Sequence, residues 1–265
     1  MPDARDDEVT RLGHTFNDVL GALERALERE RRFVNDASHE LRTPLTLLSA
    51  RVQLLRRRHR TVEEYELALT ELETDIDDLI GLSDQLLDLG LVADVGSPQN
   101  GERVDLQEVV RAMSLVDFGV RVHADAAGFH VTMPAPQIRQ VVANLIANAR
   151  THGLPPVDLS IRHGEGIVVL VVSDAGPGMV SDFLPVAVER FIRGDDAHSR
   201  PGTGLGLALV DALVRHHGGE LRLCSAGAHH RVSPTLLFPC QHPNAGTTVT
   251  VGLPAVWLGV GSLAS

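Results

Sequence analysis

Residues 33–46 read FVNDASHELRTPLT. Val34 and Leu41 stand seven residues apart, and the interval repeats outward through Leu20, Leu27, Val34, Leu41, Leu48 and Leu55. Such a ladder is the seam of a helical bundle or coiled coil. Its partner positions are mixed (Leu23, Ala37 and Leu45, but also Glu30), which fits a four-helix bundle better than a two-stranded zipper. His39 precedes Leu41 by two positions, about 200° around a helix of roughly 3.6 residues per turn. It therefore faces away from the seam, with Glu40 beside it to hold or accept a ring proton. Pro44 lacks a donor for the helical ladder and is expected to bend the helix one turn below His39.

Moving outward, the helix is expected to break at Arg56-Arg57-Arg58-His59-Arg60 and to restart at Thr61, where Thr61 and Glu64 form a capping box. Leu69, Leu72, Ile76, Leu79 and Leu86 then supply the facing stripe of a second helix. A hairpin buries only one side of each stripe, so dimerisation into four helices is the natural remedy. Composition shifts near residue 95. Residues 8–92 are rich in Leu, Glu and Arg with almost no Gly or Pro, and ADVGSPQNG at 93–101 is turn chemistry. Beyond it lie short strand-like runs, Gly-rich loops and two helical segments, a mixed α/β pattern.

The whole chain has 265 residues, 43% of them hydrophobic and only 3% aromatic, so the core is aliphatic. None of its 24 basic residues is Lys, and 35 acidic residues leave a net charge of −11, which argues against a general nucleic-acid binder. Two cysteines suit a reducing cytosol. The N-terminus has no signal-peptide pattern, and no uncharged apolar run reaches the roughly 18 residues of a membrane helix.

Four further segments carry chemistry. Residues 137–152 (QIRQVVANLIANARTH) read as a helix with Asn144, Asn148 and His152 on one line. Two Asn on that line are either ordinary surface or amides aimed at a phosphate-bound Mg2+. The strand 167–173 (IVVLVVS) ends in DAGPGM, where Asp174 could accept from an amino group, and Gly176 and Gly178 let backbone pass close to a flat ring. ERFIRGD at 189–195 contains Phe191 and Arg193; Phe191 reads equally as packing or as ligand contact. RPGTGLGLALV at 200–210 is a loop with Gly202, Gly204 and Gly206 that opens a helix, a cradle for phosphate oxygens but not a P-loop.

Taken in order, these segments resemble the boxes of bacterial two-component sensor histidine kinases: an H-box at 33–46, an N-box at 137–152, a first glycine box at 174–179, an F-box at 189–195 and a second glycine box at 200–210. Residues 7–17 look like the end of a HAMP module. The resemblance implies an α + α/β chain, a dimeric helical hairpin (four-helix bundle) followed by an α/β-sandwich ATP-binding domain of the Bergerat type. It implies a HAMP-like and signalling helix at 1–28, a dimerisation and phosphotransfer domain at 29–92, a linker at 93–103, a catalytic domain at 104–256 and a tail at 257–265. His39 would be the phosphoacceptor, Glu40 the general base and Thr43 the residue that orients water for a phosphatase reaction. ATP would be bound by Asn144, Asn148, His152, Asp174, Gly176, Gly178, Phe191, Arg193, Gly202, Gly204 and Gly206, with Asn148 on Mg2+ and residues 179–201 as a lid. The implied partners are a second copy of the chain and a response-regulator receiver domain, not nucleic acid. The implied location is cytoplasmic, in a family usually anchored at the inner face of the membrane, with the sensor region outside this chain. Two departures stand out. Thr151 replaces a common Lys, with Arg150 as its substitute, and CSAGAHHRVSPTLLFPCQHPNA lengthens the loop before the last strand at 246–251. Cys224, Cys240, His229, His230 and His242 in that stretch fit no standard zinc spacing, so it reads as a Pro-punctuated surface insertion at 224–245.

Overall fold

The computed structural model describes residues 4–57, 59, 61–94, 103–113, 119–124, 128, 130–164, 166–194, 202–232, 236, 238–240 and 246–256. Trp257 with the rest of the tail, His242 and most of the 93–103 linker lie outside these residues. The chain divides into two compact units, residues 1–83 and 84–265.

In the first unit, α1 (Ala4–Arg56) runs unbroken through Pro44, and α2 (Val62–Asp94), whose residues from 84 on belong to the second unit, begins where the capping box places it. The Thr61 amide donates to Glu64 Oε2 at 3.1 Å and the Glu64 amide donates to Thr61 Oγ1 at 3.2 Å, so two otherwise orphaned donors are satisfied reciprocally. Arg51 pairs with Asp75 at 3.0 Å across the two helices. Leu41, Leu48 and Leu55 are half-buried, whereas Leu20, Leu27 and Val34 stay 41%, 47% and 55% exposed.

The second unit is an α/β sandwich. Its six-stranded sheet has the order β2-β4-β5-β8-β6-β7, built from β2 (Val120–Ala124), β4 (Val157–Gly164), β5 (Ile167–Ser173), β6 (Glu220–Ser225), β7 (Ala228–Arg231) and β8 (Thr247–Pro254). Only the β2–β4 pair is parallel. A two-stranded ribbon joins β1 (Val104–Asp105) to β3 (His130–Val131). Among the described residues, three helices lie wholly in this unit rather than the two expected: α3 (Leu106–Ala112), α4 (Ala135–His152) and α5 (Gly206–His216). The short α3 was illegible as a periodic pattern, but Asp105 caps it by accepting from the Gln107 and Glu108 amides. Val141, Val142, Leu145 and Ile146 of α4 and Leu209, Val210, Leu213 and Val214 of α5 are buried, matching their apolar spacing.

Within 224–245 the chain is not wholly irregular. Cys224 and Ser225 complete β6, Ala226–Gly227 turn, and β7 adds an edge strand.

Candidate functional site

His39 lies on the exposed surface of α1, as its offset from the seam requires, with Glu40 half-buried and Thr43 exposed nearby. Thr43 Oγ1 donates to the His39 carbonyl at 3.3 Å, while Ser38 and Thr46 bond back to Val34 and Arg42. These hydroxyls close on their own helix around Pro44, whose missing N–H removes one rung of the ladder. The imidazole is thus presented on a regular helical surface. These three candidates belong to the first unit, and all the others to the second.

In the second unit the boxes converge on α4. Asp174 follows β5 and is only 7% exposed. Its Oδ1 accepts from the Gly176 amide at 2.8 Å and from the Thr247 amide at 3.4 Å. Burial raises its pKa above the ordinary carboxylate value, partly offset by those two amides. Three glycines make room for it. A Cβ at Gly153 would overlap the Asp174 side chain, one at Gly246 (φ +76°) would overlap the Asp174 carbonyl, and one at Gly176 would lie 2.7 Å from the Gly153 Cα. The Ala175 amide donates to the Leu154 carbonyl at 2.9 Å, tying this turn to the end of α4. Gly178, at φ +82°, passes against Ser225, whose hydroxyl accepts from the Met179 amide at 2.7 Å and donates to the Gly246 carbonyl.

The middle of α4 meets the second glycine loop. A Cβ on Gly206 would sit 3.1 Å from Asn144 Oδ1, so loop and Asn line touch. No side chain caps α5 at Leu205, which leaves first-turn amides available to an anion. Thr203 anchors the loop, its Oγ1 donating to Gln85 Oε1 at 3.1 Å. Phe191 adopts φ +63°, its amide donating to the Gly204 carbonyl at 3.0 Å, and an added Cβ on Gly204 would lie 2.8 Å from the Phe191 backbone. F-box and glycine loop are therefore one structure, with Arg193 half-buried two residues on. Asn144, Asn148 and His152 are all half-buried along about 12 Å of helix.

Direct contacts thus pair Asn144 with Gly206, Phe191 with Gly204 and Asp174 with Gly176, and Gly178 is linked to Asp174 through Ser225 and Gly246. Asn148, His152, Arg193 and Gly202 sit on the same segments. Sequence reasoning missed Gly153, Ser225 and Thr247. Gly153 carried a signal as the glycine after a helix; Ser225 carried none, because its role depends on a contact 46 residues away.

Two family models account for most of the chain. Residues 29–92 match the His Kinase A (phospho-acceptor) domain, and residues 133–256 match the histidine kinase-, DNA gyrase B- and HSP90-like ATPase. The chain belongs to the two-component sensor histidine kinases. Among its relatives is the signal transduction histidine-protein kinase/phosphatase MprB of Mycolicibacterium smegmatis, 34% identical and covering 94% of this chain and 54% of that one. Another is the sensor histidine kinase YkoH of Bacillus subtilis, 30% identical over 83% of this chain and 50% of that protein. The chain spans about half the length of the curated relatives it matches. The fold is shared with the Acinetobacter baumannii histidine kinase AdeS, at TM-score 0.58 and 24% identity over 82% of this chain and 98% of that one. Full-length ShkA shares it at TM-score 0.54 and 24% identity, over 82% of this chain and 44% of that one. A HAMP module has no such support, and no described helix is long and apolar enough to cross a membrane.

Proposed function

We propose that this chain is the kinase portion of a two-component sensor, autophosphorylating His39 with the γ-phosphoryl group of ATP and passing it to an Asp of a response regulator. The observation that carries the reading is the span of α4, which joins the buried Asp174 cradle at its C-terminal end to the uncapped α5 N-terminus beside Asn144. An acceptor for an amino group at the C-terminal end of α4 and available amides beside Asn144, separated by about 12 Å of helix rise, match the two ends of a nucleoside triphosphate. The donor set also fits a phosphate-bound Mg2+, which Asn148 would hold between them and which would offset phosphate charge.

In the transfer an imidazole nitrogen of His39 attacks the γ-phosphorus, the bond to the β-phosphate oxygen breaks, and ADP leaves. Glu40 takes or positions the ring proton. Thr43 would orient water for the reverse, phosphatase reaction, an activity named in the MprB relatives. The functional boundaries are 29–92 for dimerisation and phosphotransfer and 104–256 for catalysis. Residues 1–28, of which 4–28 lie in α1, form the input helix and the HAMP-like end. The exposed ladder residues Leu20, Leu27 and Val34 support a homodimer, with the regulator docking on the resulting bundle.

Incubation with Mg-ATP labelled on the γ-phosphate, comparing wild type with His39→Gln, tests the reading. Acid-labile, alkali-stable label in wild type alone is expected. Equal label in both proteins would remove His39 as the acceptor.

A further inference from the structure

Of the four Cys and His side chains of the 224–245 stretch among the described residues, Cys224, His229 and Cys240 meet at one point, without His230. Cys224 of β6 and His229 of β7 are cross-strand partners, and His229 Nδ1 lies 3.2 Å from Cys224 Sγ. Cys240 arrives from the strap after β7, with its Sγ 3.8 Å from Cys224 Sγ. All three donor atoms fall within 4.8 Å of one another.

The strap is built to deliver Cys240. Fully buried Glu220 accepts from Arg222 at 2.6 Å, from Arg231 at 2.8 Å and from the Leu236 amide at 2.8 Å. Arg222, itself 4% exposed, donates to the Leu236 and Phe238 carbonyls and stacks 3.5 Å over the Phe238 ring. Phe238 occupies the space left by the missing Cβ of Gly252 in β8. A buried ion pair of this kind holds Leu236 and Phe238 against the sheet, the latter two positions from Cys240. The cluster therefore does not depend on a free loop.

The two separations from Cys224 Sγ are close to those of a metal site. A tetrahedral ion with bonds of about 2.3 Å to sulfur and about 2.0 Å to nitrogen sets sulfur–sulfur edges near 3.8 Å and sulfur–nitrogen edges near 3.5 Å. A disulfide instead brings its sulfurs to about 2.05 Å and leaves no role for a third donor. Two thiols with one imidazole are the borderline-soft set that Zn2+ prefers. We propose that Cys224, His229 and Cys240 bind one Zn2+, with water in the fourth position. The ion would replace a thiol proton on each cysteine and cross-link β6, β7 and the strap. It would do so one residue from Ser225, which holds the Met179 amide of the first glycine box.

The test uses the whole chain and needs no assay of kinase activity. Zinc content is measured after purification without chelator and dialysis, and Co2+ is titrated into the metal-free, reduced protein while sulfur-to-cobalt charge-transfer absorption is followed. Cys240→Ser and His229→Ala, both at exposed positions, are compared with wild type after circular dichroism has shown them folded. We expect one Zn2+ per wild-type chain, a Co2+ band that Zn2+ abolishes, and affinity losses above about 100-fold in each variant, beyond what loss of a merely supporting residue gives. Zn2+ is expected to raise Tm in wild type and leave both variants unmoved. No retained zinc with no Co2+ band would overturn the proposal. So would a band unchanged in both variants, or a Cys224–Cys240 disulfide that forms in air despite saturating Zn2+.

Discussion

Asp174 shows how much of this site rests on atoms that are missing. Its carboxylate fits because Gly153 and Gly176 withhold a Cβ from the same small volume, and Gly246 withholds one beside its carbonyl. Gly246→Ala adds a methyl group against the Asp174 carbonyl at a positive φ, and should lower both Tm and nucleotide affinity, read by thermal melting and ATP titration. Asp174→Ala removes a charge-assisted acceptor instead. ATP affinity should fall by about 1.5–3 kcal/mol, roughly 10- to 150-fold in Kd, measured by calorimetry. GTP, which lacks an amino group at the adenine position, should discriminate far less between the two proteins. The DAGPG string announced this residue, because strand, carboxylate and glycines are local; the glycines contributed from positions 153 and 246 are not.

At the scale of elements, the hairpin turn and the α4–α5 contact each carry a separable energy. Thr61→Ala removes one half of the reciprocal cap on α2 and should cost about 0.5–2 kcal/mol, seen as a lower Tm with little loss of nucleotide binding. His217, just past α5, has its Nε2 2.6 Å from Gln137 Oε1 of α4, so the ring donates from Nε2 while Nδ1 is buried without a partner. Burial, and then His216 beside it, pull its pKa from 6.5 down to about 4. The unfolded chain therefore binds this proton at a higher pH than the folded one. His217 supports the fold fully above about 6.5, and its contribution is lost as pH falls towards about 4. A Tm–pH series should show wild type losing stability across that window more steeply than His217→Gln. The capping box could be read from four residues of sequence, whereas the His217–Gln137 pair, 80 residues apart, could not.

For the molecule as a whole, the first unit exposes more apolar surface than an isolated hairpin should. Ile76 is 46% exposed and Val34 55%, both on the facing stripes of α2 and α1. If a second copy covers them, Val34→Asp and Ile76→Asp leave the helical circular dichroism signal intact and convert a dimer to a monomer in sedimentation equilibrium. Because both residues are about half exposed in their own chain, loss of dimer without loss of helix separates association from folding. A dimer unchanged by both substitutions would place the contact elsewhere on the helices.

By itself the sequence determined the elements and boxes whose signals are short-range: the heptad ladder, the Thr61–Glu64 cap, the apolar strand 167–173 and the glycine-rich entry to α5. Each depends on residues within a turn or two of one another, where spacing and side-chain chemistry suffice. The tertiary structure alone decided the strand order β2-β4-β5-β8-β6-β7, which sets β8 between β5 and β6 and so brings Thr247 and Gly246 to Asp174. It also decided that Cys224, His229 and Cys240 meet, although their spacing matches no standard pattern. Their meeting follows from a hairpin register and a strap held by Glu220 and Arg222, and register and long-range charge burial are properties of the packed chain rather than of any segment.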